Sequence, residues 1–101
     1  MSGKEIPVRV SPSLAGLMPR FLAQCRREAV EIRRALEEGN LVAARAIGHT
    51  LTGAGGGYGL DEISLLGAEI DRAARSGDAQ AVLRFVERLD EYLERVRPVF
   101  D

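Results

Sequence analysis

Four apolar stripes at helical spacing, each broken off by glycine or proline, constrain this chain more than any other feature. From Pro19 onward, Phe21, Leu22, Cys25, Ala29, Ile32 and Leu36 fall on one helical face and stop at Gly39. Asn40 suits an N-cap for the second segment, in which Leu41, Ala44, Ile47, Gly48, Leu51, Ala54, Gly55 and Tyr58 share a face. Ile63, Leu66, Ile70, Ala73 and Ala74 make the third stripe, which runs out at Ser76-Gly77 before Asp78 caps the next helix. Val82, Phe85, Val86, Leu89, Tyr92, Leu93 and Val96 make the fourth, which must end near Arg97 because Pro98 disfavours helical geometry in the residue before it. Connections of a few residues force neighbouring helices to run antiparallel, so the pattern predicts an all-α, up-down antiparallel four-helix bundle.

The ends of the chain read differently. Residues 1–10 lack helical periodicity and are expected as an extended lead-in. Ser11-Pro12 is a helix-start signal, and Gly16 and Pro19 limit its length, so a short extra N-terminal helix is expected there. The bundle is expected to occupy residues 11–97 as a single domain, with 98–101 as a tail. A chain of 101 residues supports one core and no separate substrate domain. It runs from Met1 to Asp101, just past the last helix, and so reads as a free-standing protein.

Composition narrows the class of function. With 14 basic side chains against 15 acidic ones, the chain lacks the electrostatic footprint of a nucleic-acid-binding protein. Neither a signal peptide nor a transmembrane run is legible, and Cys25 stands alone, which points to a reducing, cytoplasmic setting. Cys25 lies on a buried stripe, where a thiol is inert, so nucleophilic catalysis by it is not expected. One histidine without a carboxylate pair at ligand spacing supplies no metal site.

That one histidine, His49, carries the chemistry. At about 100° per residue it falls roughly 140° from the centre of its helix's apolar face, so it is expected in solvent. Gly53 and Gly56 lie on its side at i+4 and i+7, with Arg45 at i−4 and Thr52 at i+3. Each glycine inside a helix costs about 1 kcal/mol relative to alanine. Tight helix packing accounts for Gly48 and Gly55, and C-capping for Gly57 or Gly59. Gly53 and Gly56 are left over, and close approach of a partner to the imidazole explains them. A phosphate-cradling loop does not, since no Gly-Lys-Ser/Thr follows and no strand precedes.

The segment His49-Thr50-Leu51-Thr52-Gly53, followed by Ala54-Gly55-Gly56-Gly57-Tyr58-Gly59, resembles the His-x-Leu-Lys-Gly motif of the histidine-containing phosphotransfer (HPt) domain of bacterial phosphorelays. Arg45-Ala46-Ile47-Gly48 before it and Ile70-Asp71-Arg72-Ala73-Ala74-Arg75-Ser76-Gly77-Asp78 after it extend the likeness over about Pro12 to Val96. The resemblance implies a four-helix bundle in which His49 accepts a phosphoryl group on Nε2 from a receiver-domain aspartate and relays it to another receiver. Gly53 would keep the approach open, and Asp71 would hold Nδ1–H and orient the ring. Thr52 departs from the family, which places a lysine there to neutralise the phosphoryl group, and Arg45 and Arg75 are the available substitutes. The implied role is that of a monomeric phosphocarrier without kinase activity or cofactor of its own. Its partners would be receiver domains of response regulators or hybrid histidine kinases.

Two other readings keep the same fold. One is a receiver-binding module with weak or lost transfer, of which Thr52 would be the sign, although retention of His49 and Gly53 argues against it. The other is a helical adaptor or dimerisation domain with an incidental histidine.

Overall fold

A computed structural model describes residues 4–101. Strand β1 (Ile6–Val10) and a single 3-10 turn (Pro12–Leu14) lead into α1 (Met18–Glu37), α2 (Leu41–Gly57), α3 (Asp61–Arg75) and α4 (Ala79–Arg95), and strand β2 (Val96–Phe100) closes the chain. Each helix touches the next, and α1 also packs on α4, so the four form a closed ring about one core. Cys25, Ala29, Ile32, Ala44, Leu51, Ile63, Ile70, Val82, Val86 and Leu89 are fully buried at its centre. The stripes read from the sequence therefore face inward, as the bundle requires.

The helix boundaries follow local chemistry. Asn40 Oδ1 accepts from Ala43 N at 3.0 Å and Asp78 Oδ1 from Ala81 N at 3.0 Å, each satisfying a donor that the first helical turn leaves orphaned. Gly39, Gly59 and Gly77 end the first three helices in the left-handed region, with φ of 71°, 77° and 78°. Gly59, rather than Gly57, is therefore the terminating glycine after α2. Replacing Asn40 with alanine is expected to cost about 1 kcal/mol of stability, to be measured by urea unfolding.

At the N-terminal end the structure corrects the expected short α-helix. Ser11 does act as a cap, accepting from Ser13 N at 3.3 Å, but only one 3-10 turn forms. The ring of Pro19 is incompatible with a helix continuing through the carbonyl four residues earlier, so the chain restarts as α1.

The chain ends also carry a small parallel sheet that the all-α reading did not contain. Ile6 pairs with Val96, Val8 with Pro98 and Val10 with Phe100. Residues 6–10 of the expected lead-in are thus strand β1, and residues 98–100 of the expected tail belong to β2. Residues 1–3 of that lead-in lie outside the described residues. In a parallel ladder, alternate residues bond the partner through both N–H and C=O. Prolines cannot donate, and this register lets Pro7 and Pro98 both take the outward-facing positions, which blunts the two free edges against further strands. Arg9 to Asp101 at 2.9 Å and Arg97 to Glu5 tie the two ends further.

The feature that positions the functional face is the close crossing of α2 and α3. A Cβ on Gly48 would stand 2.9 Å from Asp71 N, one on Gly55 2.6 Å from Ser64 N, and one on Gly67 2.7 Å from Thr52 N. Only hydrogen fits at these three points. The two backbones therefore approach far enough for a side chain on α3 to reach the solvent face of α2.

Candidate functional site

His49 stands on the outer face of α2 with its side chain 79% exposed, on the side the helical phase predicts. Nothing lies within 4 Å of the Cβ position of Gly53, one turn later, and only Ser64 Oγ approaches that of Gly56, at 3.7 Å. Packing thus explains Gly48 and Gly55, whereas the surface beside the imidazole is bare. A Cβ at position 53 would meet nothing but solvent within 4 Å.

Asp71 is the one buried charged residue among those described. The tight α2–α3 crossing brings its carboxylate under the imidazole, with Oδ2 3.4 Å from His49 Nδ1. Three cationic or potentially cationic groups converge on it. Arg75 Nη2, one turn along α3, reaches Oδ1 at 3.2 Å and Oδ2 at 3.4 Å. Arg45 Nε, on α2, lies 3.4 Å from Oδ1. The sequence placed Asp71 beside the core boundary. Its burial, and the convergence of both arginines and the histidine on it, come from the inter-helix distance that the glycines set.

Burial by itself would raise the Asp71 pKa. The Arg75 charge, the contacts from His49 and Arg75 and the Arg45 charge outweigh that effect and hold it below the ordinary 3.8. A carboxylate with a depressed folded-state pKa stabilises the fold above its unfolded pKa, and that contribution is lost as pH falls through the folded value. Asp71→Asn is therefore expected to flatten the loss of stability on acidification below 3.8, measured as the urea midpoint against pH.

A carboxylate can only accept, so the ring nitrogen facing Asp71 is the one that carries hydrogen, and the Nε2 lone pair is left toward solvent. The contact is long for a hydrogen bond, and such contacts tighten once the ring gains charge. The arrangement presents a solvent-facing ring nitrogen, a carboxylate that favours hydrogen on the other one, and two guanidinium groups beside it.

Thr52 does not replace the lysine. Its hydroxyl turns back to donate to the Gly48 carbonyl at 2.9 Å. Beside it opens a small cleft of about 180 Å³ lined by Thr52, Ala68, Asp71, Arg72 and Arg75. Cys25 is buried and burial, helped by Glu28, pushes its thiol up to about 12, which leaves it protonated and unreactive.

Three features of this face were not read from the sequence. Gly67 is the α3 half of the close crossing, and its signal was present: it sits on the buried stripe at i+4 from Ile63. Val42, at i−7 from His49, is 79% exposed, and Leu65, one turn before Ala68 on α3, is 62% exposed. No periodicity argument distinguishes such outlying apolar residues from ordinary surface ones.

The family model for the Hpt domain matches residues 16–98. The chain thus belongs to the Hpt domain family, whose members take part in phosphorelays and interact with receiver domains. No individual curated protein and no solved structure matches the chain. Among the described residues no helix is long and apolar enough to cross a membrane.

Proposed function

We propose that this chain is a phosphocarrier in which His49 takes a phosphoryl group from the aspartate of one receiver domain and passes it to another. The observation that carries the reading is the pairing of an exposed imidazole with a buried carboxylate at its Nδ1, beside an unobstructed glycine at i+4. The Nε2 lone pair attacks phosphorus, the bond from phosphorus to the aspartyl oxygen breaks, and the carboxylate leaves with the bonding pair. The ring becomes cationic as the bond forms, and Asp71 faces the hydrogen on Nδ1 where that charge is shared. The positive charge that the absent lysine would bring has its nearest sources in the two guanidinium groups gathered at Asp71, those of Arg45 and Arg75.

Val42, two turns before His49 on α2, and Leu65 on α3 are exposed apolar side chains among charged ones. Scattered apolar side chains on a charged surface suit a partner that must bind and then leave. A carrier of this kind has no kinase activity of its own, so donors and acceptors of phosphate are both receivers, from response regulators or hybrid kinases. The reading includes a monomer at work in a bacterial cytoplasm.

The test is to incubate the protein with a panel of phosphorylated receivers and follow acid-labile, base-stable phosphate on it. Transfer from at least one receiver is expected. A protein that binds receivers but never takes label would be the interaction module instead, and one that does neither would be an adaptor.

A further inference from the structure

The geometry points to a division of labour between the two arginines: Arg45 is the group that takes over the missing lysine's role at the phosphoryl oxygens, and Arg75 is a positioning residue that fixes Asp71. This rests on the phosphocarrier reading and goes beyond it by assigning each cation a separate task.

The contacts of the two side chains differ. Arg75 reaches both oxygens of Asp71 through Nη2, from the same helix and at the i+4 spacing that favours such a pair. Arg45 comes closest to Asp71 through Nε, at 3.4 Å, and makes no hydrogen bond to it. Its terminal nitrogens make no hydrogen bond among the described residues. Two guanidinium groups share one carboxylate, so one positive charge is in surplus, and the loosely held one is Arg45.

Position supports the same assignment. Helical side chains lean toward the helix N-terminus, so the imidazole of His49 inclines over the turn that carries Arg45. Nδ1 faces Asp71, and the planar fork of Arg45, with Nε nearest the carboxylate, makes no hydrogen bond among the described residues that would withhold its terminal N–H₂ groups from an anion on the same face. Arg75 sits across the crossing on α3, lining the cleft with Arg72 and Thr52. Releasing it to the phosphoryl group would free the carboxylate that holds the ring, whereas releasing Arg45 would not.

Phosphoramidate serves as a receiver-free donor for the test. The Nε2 lone pair attacks phosphorus, the P–N bond breaks, and ammonia leaves with the bonding pair. Loading rate and phosphohistidine lifetime would be measured for wild type, Arg45→Ala, Arg45→Lys, Arg75→Ala and Arg45→Ala combined with Thr52→Lys, alongside ¹⁵N shifts of the His49 ring. Arg45→Ala is expected to slow loading about tenfold and shorten the lifetime while leaving the ring tautomer unchanged. Arg45→Lys should restore part of the rate, and Thr52→Lys should rescue Arg45→Ala, an outcome no purely structural role would give. Arg75→Ala should shift the tautomer balance toward Nε2–H and leave the lifetime of phosphate already in place within about twofold of wild type. Equal effects of the two alanine variants on lifetime, or an unchanged lifetime in Arg45→Ala, would overturn the division of labour and leave the phosphocarrier reading standing. Failure of the wild type to take phosphate from phosphoramidate and from every receiver would overturn both.

Discussion

Gly67→Ala is expected to destabilise the bundle by about 2 kcal/mol, an overpacking cost of about 3 kcal/mol less what alanine gains in helix propensity. The added methyl would stand 2.7 Å from Thr52 N and 2.8 Å from the Gly48 carbonyl oxygen, and 2.8 Å from Leu51 Cβ. The first two are backbone atoms of a helix, which cannot swing aside as a side chain can. Helices α2 and α3 must separate, and the gain in helix propensity, about 1 kcal/mol, offsets only part of the loss. For a domain of this size the melting temperature should fall by roughly 10 °C. Because the crossing carries Asp71 to His49, the variant should also loosen the contact at Nδ1, visible as a change in the His49 ring ¹⁵N shifts. A variant as stable as wild type would show that the two helices do not approach as closely as described.

Gly53 lies in the helix that Gly67 packs against, yet substitution there should act in the opposite direction. Nothing lies within 4 Å of its Cβ position, so Gly53→Ala removes the backbone entropy penalty without a clash and should stabilise the fold by about 1 kcal/mol. Gly53→Leu should likewise fold, but its side chain would cover the bare surface one turn from His49. Transfer from a phosphorylated receiver is expected to drop at least about 100-fold, in line with the cost of misplacing reacting groups by an ångström. Loading from phosphoramidate, which needs no docked protein, should change far less. The comparison of the two donors separates blocked docking from damaged chemistry. Equal losses with both would mean that the leucine disturbs the imidazole itself.

The helices were legible because their signals are local. Asn40, Asp78 and the glycines at 39, 59 and 77 act through the turn in which they sit, and the stripes between them record which face is buried. The exposure of His49 followed from helical phase alone. The two strands were not legible, because a parallel pair between the two ends of a chain is fixed by where the bundle leaves those ends, and Pro7 and Pro98 argued locally against strands. The same limit applied at the site. Arg45, Asp71 and Arg75 could each be singled out, but their meeting at one carboxylate depends on how closely α2 and α3 cross. That distance is set by Gly48, Gly55 and Gly67 together, and one of the three, Gly67, went unread although it sits in the middle of a buried stripe.

Asp71 also shows why the missing lysine does not by itself mark a failed site. A buried carboxylate with one arginine would be neutral, while this one is shared between two, so the cluster around an uncharged imidazole carries surplus positive charge. The phosphoryl group would arrive at a face already prepared to receive it.

Mapping the phosphate after incubation with phosphorylated receivers decides most directly whether the protein is a phosphocarrier at His49. Acid-labile, base-stable phosphate on His49 Nε2, identified by ³¹P NMR and tandem mass spectrometry, is the expected result, with no label in His49→Gln at an unchanged unfolding midpoint. Absence of phosphate from every receiver tried, or label that survives His49→Gln, would contradict it.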